Sequence, residues 1–144
     1  MAQLNKESEM AFIEWSDDMS VGVEVLDDDH RVIILLLNEL YEAMVEGEGR
    51  AAMGFILDSL VNYTTIHFER EEKAFEKTDY PDIEAHKRLH KTLIKQVLDI
   101  QEKHNNSIFL MSMEVLDFLK RWLLDHIQGT DKKYEPYLNI SEAA

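Results

Sequence analysis

His67-Phe68-Glu69-Arg70-Glu71 is the stretch of sequence that decides the fold. It carries an imidazole and a carboxylate four positions apart in a strongly helical run. Four residues turn an α-helix by about 400°, so His67 and Glu71 share one face and lie roughly 6 Å apart along the axis. Glu69 and Glu72 lie about 200° and 140° around the helix from His67, so they share that face less well.

The helix face that carries His67 and Glu71 is predicted to point inward. Ile56, Leu60 and Tyr63 lead to His67 at spacings of four, three and four, which is the period of an apolar helix face. An imidazole and a carboxylate inside a core need partners, because an unpaired buried charge is strongly unfavourable. A metal ion is one such partner, and the rest of the sequence bears on that interpretation.

The composition indicates one acidic globular domain. The chain has 144 residues, 45% of them apolar, and its two prolines leave room for long helices. We therefore predict a single domain over residues 1–144. The formal net charge of −14 argues against nucleic acid or a membrane surface as partners. Repulsion between equally acidic copies favours a monomer.

The sequence also bears on the cellular compartment. It contains no cysteine, which excludes disulfides and thiolate metal sites. Residues 1–9 lack the basic and apolar regions of a signal peptide. The longest aliphatic run, 32–37, is far shorter than the roughly 20 residues that cross a bilayer. We expect a soluble, cytoplasmic protein.

Apolar periodicity predicts an all-α fold with four long helices. The first is expected to begin near the acidic run 27–29, whose carboxylates can cap free amides, and to end before the glycines at 47 and 49. The second is expected over about 50–77, and the third after Pro81. The fourth is expected to follow the break at 105–107, which can cap it.

Short connections between four such helices predict an antiparallel up-down-up-down four-helix bundle over 27–131. Residues 1–26 are expected to form an N-terminal arm that packs across the bundle. Three apolar side chains would anchor this arm, namely Phe12, Ile13 and Trp15, and the run 21–23 would bend it. Residues 132–144 are expected to form a short C-terminal tail.

Five histidines fall on inward stripes of the four predicted helices. They are His30, His67, His86, His90 and His126. A single histidine on an apolar face is more often a hydrogen-bonded core residue than a ligand. The spacing of His86 and His90 can grip one metal ion, although it is also common by chance in helical proteins. Together with Glu71 and Asp131, however, five core imidazoles would leave many polar atoms without partners if no metal were bound.

Seven nitrogen and oxygen ligands are too many for one zinc ion, which usually takes four. They suit two six-coordinate ions if both carboxylates bridge. Three histidines, two bridges and a shared oxygen complete one ion, whereas two histidines leave the other with an open position. Imidazole with carboxylate and an octahedral count favour iron. The pattern therefore predicts two iron ions with room for a small molecule.

The order of these residues resembles the hemerythrin family, particularly its bacterial single-domain members. The pattern is His30, His67-x-x-x-Glu71, His86-x-x-x-His90 and His126-x-x-x-x-Asp131. Flanking residues agree with it, among them Trp15, Gly22, Phe68, Tyr80-Pro81 and Trp122-Leu123. The resemblance covers about residues 15–134 and includes all seven ligand positions.

This resemblance implies a non-haem di-iron centre (Fe2+/Fe3+) bridged by Glu71, Asp131 and an oxo or hydroxo group. One iron would be held by three histidines, namely His86, His90 and His126. The other would be held by His30 and His67 beside the open position, where O2 binds in this family.

The expected function is reversible O2 binding, for oxygen storage, transport or delivery to an oxygen-consuming enzyme, rather than catalysis. Two alternatives remain open from the sequence. One is a sensor of O2 or redox state that acts through a partner. The other is a di-iron enzyme that reduces peroxide or nitric oxide.

Asp131 requires a departure from regular helix geometry. It lies five residues after His126, and an ideal α-helix would place it about 140° away. We expect a local widening, or a helix end near Gly129, to bring it back toward the metal site.

Residues one turn from the ligands are expected to form an apolar pocket wall that excludes water and proton donors. They are Ile33, Ile34, Tyr63, Phe75, Leu89, Leu93, Trp122 and Leu123. His104 lies about 21 Å along its helix from His90. We therefore expect it on the surface or in end-packing.

Overall fold

The protein is an all-helical, antiparallel four-helix bundle, as the sequence predicts. The computed structural model describes residues 12–47, 50–106 and 112–137. Its helices are α1 (Glu24–Val45), α2 (Arg50–Phe75), α3 (Ile83–Asn105) and α4 (Met113–Leu124). Helix α2 packs against α1 and α3, and α1 also contacts α4.

Three short segments extend this framework at the end of the bundle that carries the histidine cluster. A 3-10 turn, Asp17–Met19, precedes α1. A π-helical turn, Asp125–Thr130, continues α4 and leads into a second 3-10 turn, Asp131–Lys133. The first 3-10 turn contacts the π-helical turn, so the N-terminal segment lies beside the end of the fourth helix.

Two apolar clusters form the core. The larger one fills most of the bundle and includes the fully buried Leu37, Leu57, Leu60, Val97 and Leu119. The smaller one consists of Val21, Val23, Leu26, Phe75, Tyr80 and Tyr134. The predicted ligand residues lie between them, because Phe68 of the larger cluster and Phe75 of the smaller one both contact their imidazoles.

Helix α1 begins at Glu24, three residues before the predicted start, and the acidic run does not cap it. Val23 is the N-cap residue and provides no side-chain hydrogen bond. Instead, Asp27 accepts hydrogen bonds from the Val21 amide at 2.8 Å and from the Ser20 hydroxyl at 2.6 Å. Asp27 therefore fastens the segment before α1. Gly22, with φ 76°, provides the predicted bend.

The other helix ends differ from the prediction by smaller local effects. Helix α2 ends at Phe75, two residues before the expected end. Helix α4 is capped by Ser112, whose hydroxyl accepts from the Val115 amide at 3.4 Å, whereas Asn105 and Asn106 end α3 and residue 107 lies outside the described residues. Gly47 adopts φ 70° just after α1, as a C-terminal glycine often does. Gly49 lies outside the described residues.

The segment before α1 packs along the bundle through the anticipated apolar side chains. Ile13 is buried, and the Phe12 ring stacks on Tyr41 with centroids 4.8 Å apart. The Asn38 side chain hydrogen-bonds to both backbone polar groups of Ile13. Its Oδ1 accepts from the Ile13 amide at 2.8 Å, and its Nδ2 donates to the Ile13 carbonyl at 2.9 Å. Residues 1–11 of the predicted arm and 138–144 of the predicted tail lie outside the described residues.

Within the described ranges, no helix is long and apolar enough to cross a membrane.

Replacing Asn38 by alanine is expected to destabilise the fold by about 1–3 kcal/mol, because it leaves the Ile13 amide and carbonyl without these partners. Asn62→Ala, at an exposed position of α2, is the matched control and should change stability by less than about 0.5 kcal/mol. Denaturant unfolding followed by circular dichroism measures both. Equal stability losses in the two variants would contradict a fastening role for Asn38.

Candidate metal centre

All seven predicted ligand residues meet in the interior between the helices. Their side chains come from α1, α2, α3 and the segment that follows α4: His30, His67, Glu71, His86, His90, His126 and Asp131. Each is buried, and Glu71 and Asp131 have no exposed surface. In the part of the chain that the structure describes, these carboxylates contact the imidazoles and Tyr134.

Regular helix geometry places four of these residues. In α2, the Nε2 atom of His67 lies 3.0 Å from the Oε2 atom of Glu71, as their spacing of four predicts. In α3, the rings of His86 and His90 lie with centroids 4.6 Å apart. Their Nε2 atoms approach Oε1 of Glu71 at 3.2 and 2.9 Å, respectively.

The π-helical turn places Asp131. Its backbone N–H donates to the carbonyl of His126, five residues earlier, so this turn is one residue wider than the hydrogen-bonded turn of an α-helix. As a result, the Nε2 atom of His126 lies 2.9 Å from Oδ1 of Asp131. The local widening predicted from the sequence is confirmed.

The donor atoms form two groups that share the carboxylates. The larger group contains Glu71, His86, His90, His126 and Asp131, and the smaller one contains His30, His67, Glu71 and Asp131. Within each group, all donor atoms lie within 4.8 Å of one another.

Each carboxylate directs one oxygen to each group. Oε1 of Glu71 and Oδ1 of Asp131 lie near the imidazoles of the larger group. Oε2 of Glu71 and Oδ2 of Asp131 lie near those of the smaller group, at 3.0 Å from His67 and 3.1 Å from His30. The arrangement can hold two cations side by side, with both carboxylates between them.

Unsatisfied polar atoms show that this donor set suits metal ions. Several buried atoms have no hydrogen-bond partner among the described residues: Nε2 of His30, His67, His90 and His126, and Oδ2 of Asp131. Some of these atoms approach a carboxylate closely, yet not in the direction of a hydrogen bond. Buried polar atoms are rarely left unpaired, and a shared cation would satisfy them together.

Two further carboxylates orient the imidazoles from behind. Oδ2 of Asp29 lies 2.9 Å from Nδ1 of His67, and Oε2 of Glu72 lies 2.8 Å from Nδ1 of His90. With Nδ1 as the donor, each ring keeps its Nε2 lone pair for a metal. Asp29 also accepts a hydrogen bond from Arg70 at 2.9 Å. The sequence predicts only a helix start for the Asp29 run and no role for Glu72, because partners on another helix leave no pattern along one helix.

Tyr134 contacts the centre from the other side. Its hydroxyl donates to Oε2 of Glu71 at 3.0 Å, and its side chain is fully buried. Burial raises the pKa of the Tyr134 phenol well above 10, and the negative charges of Glu71 and Asp131 raise it further. The phenol therefore remains a neutral donor. The sequence predicts only a short C-terminal tail here, since Tyr134 follows the last ligand without a helical period.

A small cavity adjoins the smaller donor group. It offers about 10 Å³ to the centre of a water-sized sphere, close to the space of one water molecule. It is lined by His30, Ile33, Thr64, His67, Phe68, Leu93, Trp122, Leu123 and His126.

The predicted wall is half correct. Ile33, Leu93, Trp122 and Leu123 line the cavity as expected. Four predicted wall residues do not line it, namely Ile34, Tyr63, Phe75 and Leu89. Tyr63 instead donates to Asp29 at 3.2 Å, Phe75 belongs to the smaller apolar cluster, and Leu89 lines an outer groove.

Thr64 and Phe68 line the cavity although the sequence analysis did not include them. Phe68 stacks on the imidazole of His90, with centroids 3.8 Å apart. Both residues lie within one turn of His67, so helical spacing could have identified them.

His104 lies away from this centre, as predicted. It is buried rather than on the surface, with 3% of its area exposed. An added Cβ on Gly54 would lie 3.5 Å from its ring, so the imidazole packs closely against α2. The end-packing expectation is correct, and the surface alternative is wrong.

Comparison with known proteins agrees with this arrangement. Residues 21–138 match the family described as Hemerythrin HHE cation binding domain. The chain belongs to the hemerythrin family. It is 40% identical over 125 residues to a Bacteriohemerythrin of Stenotrophomonas maltophilia, which covers 87% of this chain and 80% of that protein.

Other hemerythrins show the same likeness along nearly their whole length. A Bacteriohemerythrin of Methylococcus capsulatus is 32% identical over 131 residues, covering 90% of this chain and 99% of that protein. A solved structure titled as wild-type hemerythrin superposes with a TM-score of 0.84 at 32% identity, and covers 90% of this chain and 99% of that one. Fold and family therefore agree.

The imidazoles of this hemerythrin carry raised pKa values. Burial alone would lower the pKa of His67, but the negative charge of Glu71 and the hydrogen bond to Asp29 raise it to about 9. Burial would likewise lower the pKa of His126, but the negative charge of Asp131 raises it to about 10.

The carboxylates show the opposite shift. Burial would raise the pKa of Glu71, yet the positive charge of His67 and the close approach of the other imidazoles hold it well below its usual range. Burial and the charge of Glu71 would raise the pKa of Asp131, but the positive charge of His126 outweighs them. The pKa of Asp131 therefore lies below its usual range. Without metal, the centre therefore holds two carboxylates balanced by protonated histidines.

The metal-free protein is expected to lose stability as the pH rises from about 6.5 to 10. His67 and His126 have folded pKa values of about 9 and 10, above the ordinary histidine value of 6.5, so the folded state binds more protons in this window. Their stabilisation is fully present below pH 6.5 and is lost as the pH rises through 9 and 10. Glu71 and Asp131, whose pKa values are lowered, lose their contribution only in acid.

Thermal unfolding of the iron-free protein at pH 6, 8 and 10 measures this dependence. The midpoint should fall at each step. A midpoint that stays level or rises from pH 6 to pH 10 would contradict protonated histidines as the partners of the carboxylates.

Proposed function

We propose that this hemerythrin binds O2 reversibly at a non-haem di-iron centre. The supporting observation is that the two donor groups contain different numbers of imidazoles and that a small cavity lies beside the group with fewer. The larger group contains three imidazoles and the smaller only two, and both imidazoles of the smaller group, His30 and His67, line the cavity together with His126. A small ligand can therefore reach one cation of the pair.

The proposed ligand roles follow the two donor groups. Three imidazoles would hold one iron, namely His86, His90 and His126. His30 and His67 would hold the other, and Glu71 and Asp131 would each offer an oxygen to both irons, beside an oxo or hydroxo group. When bound, the two irons would supply electrons to O2 and recover them on its release.

Residues that line the cavity would protect bound O2 from side reactions with water. The cavity wall carries the apolar side chains of Ile33, Leu93 and Leu123, which exclude bulk water. The indole N–H of Trp122 is engaged by the Leu93 carbonyl at 3.2 Å, so this donor is directed to the backbone. Such a wall favours binding and release over further reaction.

We propose a binding protein rather than an enzyme, acting as a monomer in the cytoplasm. It would store or transport O2, or deliver it to an oxygen-consuming enzyme. The relatives named Bacteriohemerythrin, which match this chain over most of its length, support the family setting of this proposal.

An optical cycle tests the proposal. Iron-loaded protein is reduced under anaerobic conditions, exposed to air and then returned to an oxygen-free atmosphere, while its visible charge-transfer spectrum is recorded. We expect a band that appears with O2 and disappears on its removal over repeated cycles. Immediate irreversible oxidation with release of peroxide would contradict a carrier and favour a sensor or an enzyme.

Glu71→Ala is expected to abolish the paired-iron spectrum and reduce the bound iron by at least about half. It removes an oxygen from both donor groups and leaves the imidazoles without their central anion. Glu69→Ala, two residues away and exposed, is the matched control and should retain iron and spectrum. Iron analysis with visible spectroscopy measures both variants. Unchanged iron content and spectrum in Glu71→Ala would refute its bridging role.

A further inference from the structure

The cavity beside His30 and His67 contains one polar group that neither the fold nor the metal ligands use. Thr64 lines this cavity and has no exposed surface. Its hydroxyl has no hydrogen-bond partner among the described residues. The other non-ligand residues of the lining are apolar, apart from Trp122, whose N–H is engaged by a backbone carbonyl.

Other helical hydroxyl groups of the bundle behave differently. Thr65, the next residue, donates to the Val61 carbonyl at 2.9 Å. Ser59 and Thr92 bond in the same way to the carbonyls four residues before them, at 3.1 and 3.3 Å. This local bond is the usual way in which a helix satisfies such a side chain. Thr64 lacks it, although it occupies the same helix as Thr65 and Ser59.

A buried hydroxyl without a partner destabilises a protein, so its presence calls for a ligand that completes it. The cavity has room for about one water molecule, so its occupant must be small. Valine would fill the same volume without the cost of an unpaired hydroxyl. The threonine is therefore explained by an occupant of the cavity that accepts a hydrogen bond.

We propose that the Thr64 hydroxyl donates a hydrogen bond to the small ligand held in this cavity. The ligand class is a molecule of two or three atoms that carries negative charge when bound, such as O2 that has taken up electron density, or azide. Thr64 is thus a specificity-determining residue within an otherwise apolar wall. This inference rests on the proposed O2 function, which it deepens.

The position of Thr64 on α2 fits this role. It precedes His67 by three residues, so its side chain lies one turn before that imidazole on nearly the same face. The ring of His67 is itself held from behind by Asp29. A ligand beside His67 would therefore meet a fixed imidazole and a hydroxyl from the same helix.

Four variants separate the hydroxyl from the shape of the side chain. Thr64→Val and Thr64→Ala remove the hydroxyl, whereas Thr64→Ser keeps it. Thr65→Val removes the neighbouring hydroxyl, which bonds to the helix, and serves as the matched control. Thr64→Ser and Thr64→Ala differ only in the hydroxyl, so this pair carries the test even if Thr64→Val does not fold.

Two ligand measurements are made on the iron-loaded proteins. One is O2 affinity in the reduced form, and the other is azide affinity in the oxidised form. Loss of the hydroxyl should weaken both by roughly 10- to 100-fold, the range expected for a hydrogen bond to a charged group. Thr64→Ser and Thr65→Val should stay within about threefold of the wild type.

A third measurement does not involve the loaded centre. In the iron-free protein, Thr64→Val should unfold at the wild-type temperature or a few degrees above it, since no ligand partner is lost. Thr65→Val should unfold at a lower temperature than Thr64→Val, since its hydroxyl bond to Val61 is lost. A clear fall in the midpoint of Thr64→Val would assign its hydroxyl a structural role and overturn the proposal.

The outcomes distinguish this inference from the proposed function. Weaker azide binding in the hydroxyl-free variants supports the hydrogen bond even if the wild type oxidises irreversibly in air, which would refute the carrier alone. Reversible O2 binding that is equal in Thr64→Ala, Thr64→Ser and the wild type would leave the carrier intact and overturn the hydrogen bond. Failure of the iron-loaded wild type to bind either azide or O2 would overturn it as well.

Discussion

The sharing of two buried carboxylates among five imidazoles is the interaction on which the rest of this structure depends. Glu71 and Asp131 have no contact with solvent, and each presents one oxygen to each donor group. Two such charges in a core are strongly unfavourable without compensation. Protonated histidines provide that compensation in the metal-free protein, and bound cations would replace those protons.

This constraint explains features that lie outside the donor groups. The π-helical turn is needed because a regular α-helix would carry Asp131 away from His126. Asp29 and Glu72 fix the rings of His67 and His90, and Tyr134 supplies a neutral donor to Glu71. The helices and the segment after α4 thus help to neutralise the two buried carboxylates, in addition to forming the apolar core.

Helical periodicity predicted much of the fold and of the candidate site. The spacing of His67 and Glu71 identified the inward face of α2, and the five-residue step to Asp131 required the widening that is observed. Residue spacing predicts such contacts because the rotation per residue is constant along a regular helix. The start of α1 could not be found in the same way, since Asp27 bonds to Val21 instead of capping the helix.

Contacts between helices account for the remaining differences. Helical spacing predicts how far along the helix axis a residue lies from a ligand. Packing between the helices, however, decides which of these residues line the cavity. Thr64 therefore lines it, whereas Tyr63 turns to Asp29. Tyr134 reaches Glu71 from a segment without a helical period, so sequence spacing gave no indication of that contact.

The position of the charged layer between the two apolar clusters has a consequence for cooperativity. The larger cluster spans long stretches of the helices, whereas the smaller one joins Val21, Phe75, Tyr80 and Tyr134 across segments distant in sequence. The smaller cluster is thus bound to the rest of the bundle through the layer that holds the carboxylates. Bound metal would then join the two clusters, and in its absence we expect backbone amides around the smaller cluster to exchange with solvent sooner than those around the larger.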